Sequence, residues 1–281
     1  MNVVTTDAAL RSEVAQYRAN GQRIALVPTM GNLHAGHLSL VEIARRHADI
    51  VIATIFVNPM QFAAHEDLDQ YPRTLEADLG KLQQAETSLA FTPSTEQIYP
   101  DGVTAHTQVA VPGLTDCLCG ASRPGHFDGV TTIVCKLFNL VQPEVAVFGK
   151  KDLQQLLIIQ KMAVDLAMNI KIIGAPIVRA DDGLALSSRN QYLTPEERRI
   201  APQLHTLMKA AGAAIGEGEQ AGKVLASTQE ALCSLGFDVD YLELRSAESL
   251  RLADESDTHL ALFVAARLGT TRLIDNLVIE R

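Results

Sequence analysis

No apolar run in the 281-residue sequence approaches the ~20 residues of a membrane-spanning helix. The opening Met1-Asn2-Val3-Val4-Thr5-Thr6-Asp7 also lacks the basic region followed by an apolar one that marks an export signal. Together these absences point to a soluble, cytoplasmic protein with no membrane partner. Positive charge is scarce as well: 24 Lys and Arg stand against 33 Asp and Glu, a net −9. That balance disfavours non-specific binding to nucleic acid or an anionic surface, so an anionic substrate needs a local cluster of cations or a metal ion. Cysteine is sparse and unpatterned. Cys117, Cys119, Cys135 and Cys233 form no Cys-x-x-Cys pair, and Cys117-x-Cys119 has neither a second pair nor clustered histidines to complete a zinc site. They read as reduced thiols. There is no internal repeat and no low-complexity segment.

What the chain does contain is organised around Ile24 to Arg45. The apolar run Ile24-Ala25-Leu26-Val27 passes through Pro28 and Met30-Gly31 into Leu38, Val41 and Arg45 at helical spacing, a buried strand turning into a helix. His34-Ala35-Gly36-His37 occupies the turn. The spacing puts both imidazoles on one face of the helix's opening turn, where free N–H groups and the positive end of the dipole attract phosphate. Strand, glycine turn, His-x-Gly-His and amphipathic helix resemble the arrangement of the nucleotidyltransferase superfamily and the class I aminoacyl-tRNA synthetases.

The remaining chain fills in an α/β plan with room for two domains at a soft prior of roughly 150 residues each. Residues 7 to 19 read as a helix ended by Asn20-Gly21, and Ile50 to Val57 as a central parallel strand. Residues just beyond such a strand face the ligand crevice of an open sheet, which places Gln61 well for a polar substrate. A helix follows Thr74, its expected N-cap, and Leu89-Ala90-Phe91 is a short strand. Residues 93 to 125 read as turns with one strand at Thr107 to Val111, an excursion covering a site or an interface. Its apolar Val109, Val111, Leu114 and Leu118 need covering, which motivates an expected homodimer. Val130 to Val141 keep helical spacing. Val145 to Phe148, Gly149-Lys150-Lys151-Asp152 and a helix from Leu153 to Ala167 then repeat strand, glycine turn and helix, so both turns should share one sheet edge.

Gly174-Ala175-Pro176 is the expected junction. Residues 1–175 form a Rossmann-like parallel sheet flanked by helices, and 176–281 a smaller C-terminal α+β domain acting as a lid. Thr194-Pro195-Glu196-Glu197 reads as a complete capping-box start, and Pro202 as a break. Beyond it come further helices and three strands in a mostly antiparallel sheet.

Several segments in order, 28–37, 57–62, 71–74, 123–127, 148–155 and 182–190, resemble the pantoate β-alanine ligase (pantothenate synthetase) family. The resemblance implies an ATP-dependent ligase that joins pantoate to β-alanine through a pantoyl adenylate, releasing AMP and pyrophosphate, with Mg²⁺ accompanying ATP. Position by position, it implies ATP contacts from Met30, Gly31, Asn32, Leu33, His34, Ala35, Gly36, His37, Gly149, Lys150, Lys151, Asp152, Val178, Leu186, Ser187, Ser188 and Arg189. Gln61 and Gln155 would hold pantoate, with Gln61 also near β-alanine. His37 matches the proton-donor position, and His34, Lys151 and Arg189 join it as catalytic candidates. Asp78 is the candidate metal ligand. The sequence departs from the family at Ala180, where an acidic residue is usual. Two alternatives stay open: another adenylyl or cytidylyl transferase of the same fold, and a catalytically silent nucleotide-binding sensor.

Overall fold

The computed structural model describes residues 1–63, 66–254 and 256–280. In chain order the elements begin with β1 (Asn2–Val4), α1 (Asp7–Ala19), β2 (Ile24–Thr29), α2 (Ala35–Arg45), β3 (Ile50–Ile55), α3 (Leu75–Gln84) and β4 (Leu89–Phe91). Next come α4 (Thr95–Ile98), α5 (Cys119–Ser122), α6 (His126–Val141), β5 (Val145–Gly149), α7 (Leu153–Asp165) and β6 (Lys171–Ala175). The chain continues with α8 (Pro195–Ile200), α9 (Gln203–Gly216), α10 (Ala221–Ser234), β7 (Phe237–Ser246), β8 (His259–Leu268) and β9 (Thr271–Glu280). Short 3-10 turns lie at Pro59–Gln61, Lys150–Asp152 and Ser188–Tyr192.

Six strands form one parallel sheet in the order β1-β4-β3-β2-β5-β6. Strand β2 lies at its centre because its side chains feed both faces. Ile24 and Leu26 enter a core with α1, α6 and α7, while Ala25 and Val27 enter a second core with α2. A strand covered on both faces must be apolar throughout, as the sequence is. Chain order reverses between β2 and β5, and at such a point the loops beyond the two strands diverge and leave a crevice. The His34–His37 turn follows β2 and the Lys150–Asp152 turn follows β5, so both border that crevice.

The three-stranded sheet β7-β8-β9 is antiparallel. From Leu260 to Ala266 strand β8 is again apolar at every position, for a physical reason. Leu260, Leu262, Val264 and Ala266 pack with α9 and α10, whereas Ala261 and Phe263 face the core of the parallel sheet. The small sheet is therefore clamped between helices and the larger body. Thr194 caps α8 with Glu197 reciprocating, and Pro202 separates α8 from α9.

Several expectations need correction. Residues 107 to 111 form no strand: Val109 N–H donates to Thr132 Oγ1 at 2.9 Å, and the Thr131 hydroxyl bonds Val109 O. Side chains of α6 thus occupy the backbone groups that a neighbouring strand would have paired. Val111 is 3 % and Leu118 2 % exposed within the single chain, with Val109 and Leu114 packed against the same core. The apolar argument for a dimer therefore falls away. Strand β1 has no counterpart in the sequence reading, being only three residues long. Thr74 occupies the N-cap position of α3, yet its hydroxyl bonds no helix amide and turns to Asp78 instead. No helix among the described residues is long and apolar enough to cross a membrane.

Candidate active site

The histidine turn is built by an uncommon use of its own side chains. His34 is the N-cap of α2, and its Nδ1 accepts the Gly36 N–H at 3.1 Å, while His37 Nδ1 accepts the His34 N–H at 3.3 Å. The two rings form a capping box in which imidazole nitrogens replace the customary oxygens. Because both Nδ1 atoms accept, each neutral ring must carry its proton on Nε2. Burial, followed by Lys151, lowers the His34 pKa to about 4. Burial, His34, Lys151 and Lys81 lower that of His37 to about 3. Both imidazoles are therefore neutral Nε2–H donors at neutral pH, with ring centroids 4.1 Å apart. Gly36 is required between them, since a Cβ there would sit 2.8 Å from the His34 ring.

The segment before the rings is shaped by positive φ at Gly31 (+83°) and Asn32 (+47°). Asp78 from α3 holds it. Fully buried, its carboxylate accepts from Asn32 N–H and Leu33 N–H at 2.8 Å each, and from the Thr74 hydroxyl at 3.0 Å. This corrects the expectation for Asp78, whose oxygens brace the loop instead of facing a metal. Among the described residues no group of three or more His, Cys, Asp or Glu is placed to hold an ion. We expect Asp78→Asn to turn an N–H towards one of those amides and lower the unfolding free energy by about 1–3 kcal/mol, the cost of an unsatisfied buried group. A urea midpoint that falls at unchanged slope is the expected reading, and an unmoved midpoint would refute the bracing role.

A cleft of about 240 Å³ opens at the strand ends and brings together His34, His37, Gln61, Lys151, Asp152, Gln155, Val178, Leu186, Ser187, Ser188 and Arg189. Met30, Gly36 and Gly149 also line it, and Val130, Ile133, Val134 and Leu137 of α6 make an apolar wall. Other expected residues lie elsewhere. Lys150 is exposed outside the cleft lining, with its stem beside Gly174, so the lysine pair divides and only Lys151 enters. Leu33 is 2 % exposed in the core beneath α2. Gly31, Asn32 and Ala35 shape the turn without lining the cleft. Asn32 and Ser188 nevertheless exchange bonds, Ser188 Oγ to Asn32 O at 3.0 Å and Asn32 Nδ2 to Ser188 O at 3.3 Å. Arg189 is held bidentately by Asp67 at 2.8 and 2.9 Å and lies over the Tyr71 ring.

Gln61 is only 9 % exposed and is oriented by residues to which the sequence reading gave no role. Asn58 Nδ2 donates to Gln61 Oε1 at 3.2 Å and to Gly129 O at 3.0 Å, while the Tyr99 hydroxyl donates to Asn58 Oδ1 at 2.7 Å. His126 Nδ1 bonds Gln61 O at 2.8 Å, and Arg123, paired with Glu66 at 2.6 Å, flanks His126. Burial and then Arg123 lower the His126 pKa to about 4, so it too is neutral. Asn58 lies just beyond β3, which was the available signal. Gln154 is the reverse case: it faces away from the 240 Å³ cleft and ties residues 114 to 119 to α7 through bonds to Leu114 O, Cys117 O and Cys119 N–H.

The sequence model of the family described as Pantoate-beta-alanine ligase matches residues 2–278. A pantothenate synthetase of Pseudomonas putida (strain GB-1) is 56 % identical over 281 residues, covering 100 % of this chain and 98 % of its own. The crystal structure of pantothenate synthetase from Thermus thermophilus superposes with a TM-score of 0.92 at 45 % identity, covering 99 % of each chain. A pantoate-beta-alanine ligase from Francisella tularensis, complexed with beta-gamma ATP and beta-alanine, gives 0.84 at 32 % identity, covering 99 % of this chain and 97 % of its own. Since these matches run the length of both sheets and through the histidine turn, the chain belongs to the pantoate-β-alanine ligase family.

Proposed function

We propose that the protein joins pantoate to β-alanine at the expense of ATP, through a pantoyl adenylate, with AMP and pyrophosphate as the other products. The observation that carries this reading is the pair of neutral histidines beside Lys151 at the mouth of the parallel sheet. A pantoate carboxylate oxygen bonds to the α-phosphorus, the bond from that phosphorus to the bridging oxygen of pyrophosphate breaks, and negative charge grows on the phosphate oxygens. Donors fixed before the reaction stabilise that charge without reorganising. Here they are the two Nε2–H groups, Lys151, Ser187 and Ser188, with the positive end of α2 behind them. The β-alanine nitrogen then bonds to the acyl carbon, the carbon–oxygen bond to AMP breaks, and the nitrogen gives up a proton.

Substrate fit supports the same reading. Pantoate carries a dimethyl-substituted carbon suited to the apolar α6 wall, and hydroxyl and carboxylate oxygens suited to the amides of Gln61 and Gln155. Val178 and Leu186 offer an apolar edge for adenine. Arg189 joins the phosphates by exchanging Asp67 for them, since its planar fork suits either anion. Residues 1–175 supply the histidines, Lys151 and the glutamines, and residues 176–281 close over them as a lid. Mg²⁺ fits as an ion carried by the triphosphate, which requires only one or two protein carboxylates. Asp152 is the carboxylate among the described cleft residues, and when bound the ion would neutralise phosphate charge. Self-association as a homodimer rests on the family resemblance alone, whereas a cytoplasmic location is supported by the unpatterned cysteines. A transferase retaining a dinucleotide product, or a silent sensor, is disfavoured because the cleft keeps both amides and every cation those readings would drop.

The test is isotopic. Pantoate labelled with ¹⁸O in its carboxylate should deliver one ¹⁸O to AMP, because the oxygen that attacks phosphorus leaves with it. Label in inorganic phosphate would mean an acyl phosphate and defeat the proposal.

A further inference from the structure

Asn276 of β9 lies outside every motif that carries the family resemblance and does not line the 240 Å³ cleft, yet it grips the turn from which Lys151 projects. It is 5 % exposed, and its Nδ2 donates to Lys150 O at 2.9 Å and to Lys151 O at 2.8 Å. A carboxamide nitrogen has two hydrogens, and both are used. The preceding residue fixes Asn276 in turn. Asp275 Oδ1 accepts the Asn276 N–H at 2.8 Å, and the Asp275 carboxylate is clasped by Arg179 at 2.6 and 2.9 Å. Arg179 follows Val178 and bridges to Ala185 at the base of the loop that carries Ser187 and Ser188. One dipeptide thus connects the two loops that face each other across the cleft.

We infer that Asn276 is a positioning residue for ATP, holding the Lys150–Asp152 turn so that it presents Lys151 and backbone N–H groups, not carbonyls, to the triphosphate. In a planar trans peptide the carbonyl and the following N–H point in opposite directions. Holding the oxygens of Lys150 and Lys151 towards β9 therefore turns the N–H groups of Lys151 and Asp152 away from it. Asn276 and Asp275 line a neighbouring cavity of about 530 Å³ and not the nucleotide cleft, while Lys151 and Asp152 stand between the two and line both, and Gly149 lines the cleft alone. A released peptide could rotate and bring a carbonyl's negative end towards phosphate. The inference rests on the ligase reading, because it needs an anion in that cleft.

The experiment measures binding of Mg²⁺ and α,β-methylene-ATP to the full-length protein by titration calorimetry, together with steady-state kinetics. Asn276→Leu keeps the size and removes both hydrogens. It should bind the nucleotide on the order of tenfold more weakly, the loss expected when two neutral hydrogen bonds disappear. Its KM for pantoate should stay within about twofold of wild type, because pantoate's contacts lie elsewhere. Asn276→Gln keeps the donors on a longer stem and should bind better than Asn276→Leu; a mere packing role predicts the opposite ranking. Combined with Lys151→Met, the loss should be less than additive, as for groups acting through one another. Undiminished nucleotide binding by Asn276→Leu, or full additivity with Lys151→Met, overturns this inference alone. Wild-type protein that bound no nucleotide would overturn the ligase reading and this inference together.

Discussion

Replacing His37 with alanine should leave a folded protein whose adenylation turnover falls by roughly 10²–10³-fold, the ~2.7–4 kcal/mol usually lost with one preorganised donor. The size of the effect follows from the way the ring is fixed. Its Nδ1 is committed to the His34 N–H, so the proton must sit on Nε2, and its pKa of about 3 keeps the ring neutral. A neutral donor aimed at a developing oxyanion gains strength as the charge appears, without having competed for a counter-ion beforehand. Turnover above about a third of wild type, a difference well under 1 kcal/mol, would remove His37 from the mechanism. His34→Ala should lose similar activity and also some stability, because His34 is the N-cap of α2. Loss of such a cap costs about 0.5–2 kcal/mol.

Stability should collapse on mild acidification. His34, His37 and His126 have folded pKa values of about 4, 3 and 4, all lowered chiefly by burial. In the unfolded chain each returns to about 6.5. Between those limits the unfolded state binds more protons, so the stabilising contribution is complete above about pH 6.5 and is lost as the pH falls towards 4. Each ring contributes at most about 1.4 kcal/mol per pH unit, hence at most about 4 kcal/mol per pH unit for the three together, against a typical total of 5–15 kcal/mol. Carboxylates held low, such as Glu66 by Arg123 and Asp275 by His205 and Arg179, add to the loss only at lower pH. Denaturant titrations at pH 7, 6 and 5 should show this steep loss, with a shallower slope in His37→Gln. Equal stability at pH 7 and pH 5 would contradict neutral buried histidines.

What the sequence disclosed was whatever local periodicity or turn chemistry controls. The β2–α2 turn, the doubly buried strands and the Thr194 capping box were legible because burial and capping leave patterns within a few residues. Residues 107 to 111 misled because Val109 and Val111 alternate like strand residues, while their hydrogen bonds come from Thr131 and Thr132 on a helix. Lys150 and Lys151 look equivalent in sequence, and the tight 3-10 turn sends only one of them into the cleft. Asp78 stands in the sequence as the candidate metal ligand, and only the fold shows its oxygens spent on Asn32 and Leu33. Asn276 carries no local signal, since its partners are 125 and 126 residues away.

That last separation is shared by the bonds that close the site. Asn32 with Ser188, Asp67 with Arg189 and Asn276 with Lys150 join residues 156, 122 and 126 positions apart. Contacts this distant along the chain require large loops to be closed, as does the β2–β5 pairing, so we expect both to form after more local pairings such as β2 with β3. We therefore expect the folding transition state to contain little of the catalytic cleft. Substitutions at these joints accordingly leave the folding rate nearly unchanged and express their cost as faster unfolding. Evolution can therefore retune the cleft without slowing the route by which the chain finds its fold.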